Sequence, residues 1–125
     1  MKIFITGGTG FIGRQLTARL VKLGHRLTLL NRSLKSPALP DTEKIVAAPD
    51  STGEWQQIMK THGAVINLAG SSIFCRWSER NRQQIISSRV ITTRNVATAL
   101  NESDSLVRTL INASAIGYYG NTGNS

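Results

Sequence analysis

At 125 residues with 40% apolar side chains, the chain is long enough to bury one core, and this composition excludes a disordered protein. A single cysteine, Cys75, cannot form an internal disulfide. No apolar stretch after Met1 resembles a signal peptide or a membrane span, so a reducing cytoplasm is the expected setting. Fifteen Lys and Arg against seven Asp and Glu give a net charge of +8. These basic residues form no block and carry no interleaved aromatics, which argues against a specific nucleic-acid or membrane partner and leaves an anionic small molecule and a solvated helix face to account for the excess.

The first predicted strand is Lys2 to Thr6. The turn Thr6-Gly7-Gly8-Thr9-Gly10-Phe11-Ile12-Gly13 follows its apolar run Ile3-Phe4-Ile5 and precedes a helical pattern, the order that a dinucleotide site requires. Gly7 suits the tight turn off the strand, Gly10 lets a pyrophosphate approach the backbone, and Gly13 lets helix pack on sheet. Amide groups at the helix start and the helix dipole would then face the phosphates without help from a basic side chain. Gly7, Thr9, Gly10, Phe11, Ile12 and Gly13 are therefore expected to bind cofactor; the bland alternative is a glycine turn that serves structure alone. The first helix places Ile12, Leu16, Leu20 and Leu23 on one face and ends at Gly24 as a left-handed cap.

Arg26 to Leu30 reads as the second strand. An NAD site normally places Asp or Glu after it to hold the ribose 2′-hydroxyl, yet the first acidic residue anywhere in the chain is Asp41. Asn31-Arg32-Ser33 stands in that place with Lys35 close by, and a guanidinium can make bidentate, charge-assisted hydrogen bonds to a 2′-phosphate. NADP is thus expected in preference to NAD, with Asn31 and Arg32 as cofactor residues; the alternative is a solvated arginine at a strand end.

Pro37 and Pro40 mark a loop that leads to a short strand near Lys44 to Ala47. Gly53 to Thr61 reads as a short helix and Ala64 to Leu68 as a buried strand. Asn67-Leu68-Ala69-Gly70 follows at the same kind of strand end and joins the expected cofactor site. Ser78 is placed as the N-cap of a long helix that runs to about Leu100, with Glu79 complementing its dipole. Leu106 to Asn112 gives a fifth strand, followed by Ala113-Ser114-Ala115-Ile116-Gly117-Tyr118-Tyr119-Gly120. His25 and His62 are read as surface residues, and no metal site is expected. Trp77, beside Arg76, is read evenly as a crevice wall or a helix anchor. Arg80, Arg82 and Arg94 are read as a solvated face, with Arg89 the one that could guide an anionic substrate. Cys75 has only Arg76 beside it to lower its pKa and is not expected to be a catalytic thiol.

The alternation of short apolar runs with helical spacing implies an α/β fold: a Rossmann-type, doubly wound parallel sheet of order 3-2-1-4-5, ending after the fifth strand. Residues 1–125 then form one NAD(P)-binding domain. Every expected site residue falls at the carboxyl edge of that sheet.

These residues resemble the extended short-chain dehydrogenase/reductases, through Thr6-Gly7-Gly8-Thr9-Gly10-Phe11-Ile12-Gly13 and Asn67-Leu68-Ala69-Gly70. Arg76-Trp77-Ser78, Arg82, Ser88-Arg89-Val90, Thr92-Thr93-Arg94 and the Ala113 to Gly120 stretch are similar to the atypical "epimerase family protein" subgroup, which is nucleoside-diphosphate-sugar epimerase-like. The resemblance implies that Ser114 is a catalytic residue that polarises the substrate's reacting carbonyl oxygen, beside the cofactor. It also implies a Tyr with Lys four positions later as general acid/base, but Thr122 and Gly123 stand four positions after Tyr118 and Tyr119. A substrate-binding carboxyl-terminal portion, which the family would carry, is missing from the sequence as read. Two functions stay open on this reading. One is NADP(H) binding by an NAD(P)-dependent epimerase/dehydratase or reductase acting on a sugar nucleotide or small carbonyl substrate. The other is a noncatalytic NADP-binding or sensing module that acts through a partner at the open sheet edge, a homo-oligomer being one such assembly.

Overall fold

A computed structural model describes residues 1–32, 41–68 and 78–113 of the protein. The expectations for Lys35, Ala69, Gly70, Cys75, Arg76, Trp77, Ser114, Tyr118 and Tyr119 lie outside the described residues.

Among the described residues, five parallel strands and three helices follow one another as β1 (Lys2–Thr6), α1 (Phe11–Lys22), β2 (Arg26–Asn31), β3 (Thr42–Val46), α2 (Glu54–Met59), β4 (Ala64–Asn67), α3 (Glu79–Leu100) and β5 (Thr109–Asn112). They form one sheet of order β3-β2-β1-β4-β5, as the alternation of periods predicts. Register partners align the strand ends: Thr6 pairs with both Leu30 and Asn67, and Asn67 pairs with Asn112. This lines Thr6, Asn31, Asn67 and Asn112 along one carboxyl edge.

Alternation of side chains along each strand divides the core in two. Ile3, Ile5, Leu27, Leu29, Ala64 and Ile66 face α1, where Leu16, Leu20 and Val21 cover them. Phe4, Leu30 and Val65 face the opposite way and pack with Trp55 and Met59 of α2 and Val96 and Ala99 of α3. Full burial of an aliphatic or aromatic side chain of this size is worth about 1.5–3 kcal/mol, so these two layers hold the sheet between its helices.

Of the expected α1 stripe, Leu16 and Leu20 pack on the sheet and Ile12 and Leu23 do not. Ile12 is 67% and Leu23 60% exposed, whereas Gly13 and Thr17 are buried. The reason lies in Gly13: a Cβ there would stand 2.1 Å from the Gly7 carbonyl oxygen, so helix and turn approach through that glycine and the helix is rotated to present its flank. Its far end is built as the sequence implies. Gly24 has φ +91° and donates to the Val21 carbonyl at 2.9 Å, and the His25 amide reaches the Leu20 carbonyl at 3.1 Å, a left-handed cap that returns the chain to β2.

The fifth strand is shorter than the Leu106–Asn112 run suggests. The Leu106 amide bonds the Lys60 carbonyl at 2.9 Å and the Arg108 amide bonds the Gly63 carbonyl, so this lead-in pairs with the α2–β4 connection before the ladder to β4 starts at Thr109. Lys60 anchors the same corner. Its side chain is 5% exposed, and its ammonium reaches Glu102 at 2.5 Å and Asp104 at 2.9 Å, which raises the Lys60 pKa and lowers that of Asp104.

His62 is a correction to the sequence reading: it is 2% exposed, not a surface residue. Its Nδ1 lies 2.9 Å from the Ile58 carbonyl and its Nε2 2.8 Å from the Thr28 hydroxyl, and its ring meets Phe4 edge to face at 5.4 Å between centroids. Nδ1–H donating to the carbonyl and Nε2 accepting from the hydroxyl satisfies the neutral ring, and burial lowers its pKa.

Candidate functional site

At the carboxyl end of β1 the chain must reverse into α1 within a few residues. Gly7 does so at φ +73°, and the Gly10 amide closes the turn on the Gly7 carbonyl at 3.2 Å. The first intrahelical bond runs from the Arg14 amide to the Gly10 carbonyl, so the Phe11, Ile12 and Gly13 amides belong to the first turn, which has no earlier turn to bond. Gly10 caps the helix without a side chain, and Phe11 is 84% exposed. The result is an anion-favouring helix terminus whose approach is not obstructed by a capping group.

Thr9 and Asn31 tie this turn to the end of β2, with the Thr9 hydroxyl 3.4 Å from Asn31 Oδ1. Asn31 is 5% exposed, yet its Nδ2 has no hydrogen-bond partner among the described residues. An unsatisfied buried amide is costly, on the order of 1–3 kcal/mol, and marks a donor in want of an acceptor. Beside it Arg32 is half exposed, and its Nη2 lies 3.4 Å from Asp50 Oδ2.

Across the sheet, Thr6 donates through its hydroxyl to Asn67 Oδ1 at 2.5 Å. Asn67 Nδ2 donates in turn to Asn112 Oδ1 at 2.7 Å and to the Thr93 hydroxyl of α3 at 3.3 Å. The main chain continues the parallel ladder past the strands, with the Leu68 amide on the Thr6 carbonyl and the Ala113 amide on the Asn67 carbonyl, both at 3.0 Å. Ala113 is thus pinned beside Asn67.

Gly7, Thr9, Gly10, Phe11, Ile12, Gly13, Asn31, Arg32, Asn67 and Leu68 therefore all lie along one edge of the sheet. Ala69, Gly70 and the catalytic assignment of Ser114 fall outside the described residues. Two features escape the sequence reading. Asp50 arrives from beyond β3, so no spacing relative to β2 reveals it; its place after a strand at the same edge was the available signal. The Thr6–Asn67–Asn112 bridge joins positions distant in sequence, and only a polar residue at the end of each apolar strand hinted at it. Among the described residues no group of His, Cys, Asp or Glu could hold a metal ion, and no helix is long and apolar enough to cross a membrane.

This architecture is shared with known proteins. The sequence profile of the NAD dependent epimerase/dehydratase family matches residues 3–125. Epimerase family protein YfhF of Bacillus subtilis is 39% identical over 121 residues, covering 96% of this chain and 39% of its own length. The chloroplastic Epimerase family protein SDR39U1 homolog of Arabidopsis thaliana is 40% identical, covering 96% of this chain and 36% of its own. Among solved structures, a UDP-galactose 4-epimerase superposes with a TM-score of 0.82 at 27% identity, over 98% of this chain and 41% of the epimerase. Human epimerase family protein SDR39U1, solved with NADPH, superposes with a TM-score of 0.71 at 28% identity, over 95% of this chain and 38% of the human protein.

A parallel 3-2-1-4-5 sheet with a glycine turn at its carboxyl edge defines a Rossmann-type nucleotide-binding fold. The chain belongs to the NAD dependent epimerase/dehydratase family. It spans well under half the length of the curated relatives it matches.

Proposed function

We propose that this chain binds NADP(H), in preference to NAD(H), as the cofactor-binding part of an epimerase-family enzyme acting on a sugar nucleotide or small carbonyl substrate. The observation that carries the reading is the convergence, on one edge, of the open α1 terminus, the buried amide of Asn31 with no partner among the described residues, and the half-exposed guanidinium of Arg32. The α1 terminus suits a pyrophosphate, Asn31 Nδ2 supplies a donor to a ribose oxygen, and Arg32 supplies the charge that a 2′-phosphate needs. The cofactor, when bound, supplies hydride chemistry; these residues hold and orient it. The NADPH complex of the human relative supports the choice of cofactor. Ser114 is assigned to polarising the substrate oxygen on the strength of the resemblance.

A second reading, a noncatalytic NADP-binding module acting through a partner, is favoured by β5. All four of its residues are exposed, Ile111 to 54%, and among the described residues the strand pairs with β4 alone. Turnover assays with NADPH and sugar nucleotides or carbonyl compounds separate the two. For the cofactor itself, Arg32→Ala is the test: it weakens NADPH binding and leaves NADH nearly unchanged, whereas equal losses for both sink the 2′-phosphate assignment.

A further inference from the structure

A carboxylate reaches Arg32, at the end of β2, from the connection that follows β3. Asp50 sits in the connection between β3 and α2, and that connection is held on both sides. The buried Asn95 side chain of α3 donates to the Pro49 carbonyl at 3.0 Å, and Trp55 Nε1 donates to the Ser51 carbonyl at 2.9 Å. The Ala47 amide bonds the Asn31 carbonyl at 2.9 Å and the Ser51 amide closes a turn on the Ala48 carbonyl at 3.0 Å, so the segment is tied to β2 as well. Asp50 is therefore brought to Arg32 by a built loop, and its carboxylate meets the guanidinium at 3.4 Å with 33% of its side chain exposed.

We propose that Asp50 is a specificity-determining residue that limits how strongly the site prefers NADP(H) over NAD(H), by competing with the 2′-phosphate for the Arg32 guanidinium. The inference rests on the reading of Arg32 as the phosphate-binding cation. A guanidinium has five donors and can serve two anions, but a phosphate bound there lies close to a fixed carboxylate of like charge. Whichever of the two holds Arg32, the other loses part of it. An NAD ribose carries no competing anion, so its binding does not contend with the Arg32–Asp50 pair.

Neutralising the carboxylate without changing its size isolates the effect. Asp50→Asn tightens NADPH binding by about two- to fivefold, the range that release of one partly exposed ion pair allows. It leaves NADH within about twofold, and the gain for NADPH shrinks when Arg32 is already alanine. The measurement is calorimetric titration of the full chain with NADPH and NADH, for wild type, Asp50→Asn, Arg32→Ala and the double variant. Thermal melts establish that each is folded, and Asp50→Ser serves as a second variant. Unchanged or weaker NADPH binding in Asp50→Asn, with Arg32→Ala still losing NADPH alone, overturns the role of Asp50 and leaves the reading of Arg32 intact. Weakened NADH binding at unchanged NADPH binding also overturns it, since the carboxylate would then be reading a 2′-hydroxyl. Equal losses of both cofactors in Arg32→Ala remove the reading of Arg32 and the proposal together.

Discussion

Thr6 and Asn67 end adjacent parallel strands in register, and the hydroxyl of the first donates to the side-chain carbonyl of the second inside the sheet's carboxyl edge. Because Asn67 spends its amide on Asn112 and Thr93, one side chain fixes the ends of three strands and the flank of α3. The β1, β4 and β5 ends of the carboxyl edge are thereby tied to one another and to α3.

Asn67→Ala removes the acceptor of Thr6 and the donor to Asn112 at a position 4% exposed. The expected loss of stability is roughly 1–3 kcal/mol, the cost of leaving buried polar groups without partners. Chemical unfolding measures it, and a midpoint equal to that of wild type would show that the bridge is dispensable.

Gly13→Ala places a methyl group 2.1 Å from the Gly7 carbonyl oxygen and 2.8 Å from Gly8 Cα, both backbone. Neither atom can yield as a side chain would, so α1 must shift away from the turn, at a cost of about 1–3 kcal/mol or more. Thermal unfolding is expected to show a lowered midpoint and cofactor titration a weaker complex. The exposed Gln15→Ala on the same helix serves as the control that changes neither.

His62 gives the fold a dependence on acid. Burial holds its pKa in the folded state below the ordinary value of 6.5. The unfolded chain therefore binds the proton more readily, so the stability that His62 contributes is present above about pH 6.5 and is lost as the pH falls towards the folded-state value. Melting temperatures across this range should decline on the acid side, and His62→Gln should flatten the decline. An equally steep decline in the variant would assign the acid sensitivity to other groups.

Much of this was legible in the sequence because the signals are local. Runs such as Ile3-Phe4-Ile5 and Ala64-Val65-Ile66 announce buried parallel strands, glycines 7, 10 and 13 announce the turn, and Gly24 announces the helix end. The strand order follows from right-handed crossovers, a rule that needs no side chains. What stayed hidden depends on three-dimensional approach. The rotation of α1 away from Ile12 and Leu23 is set by the contact of Gly13 with Gly7, which periodicity does not report. His62 follows a short helix and looks like a turn residue, yet the start of β4 draws it beneath Phe4 and onto Thr28. Asp50 reaches Arg32 from a different crossover, so a search confined to the residues after β2 passes over it.

Calorimetric titration of the purified chain with NADPH and with NADH asks whether this sheet edge holds NADP(H). Charge-assisted bonds from Arg32 to a 2′-phosphate, worth about 1.5–3 kcal/mol each, predict NADPH binding about tenfold tighter or more before the competition from Asp50 is counted. Saturable binding that favours NADPH is the expected result. Equal affinity for the two cofactors, or no binding of either, would contradict it.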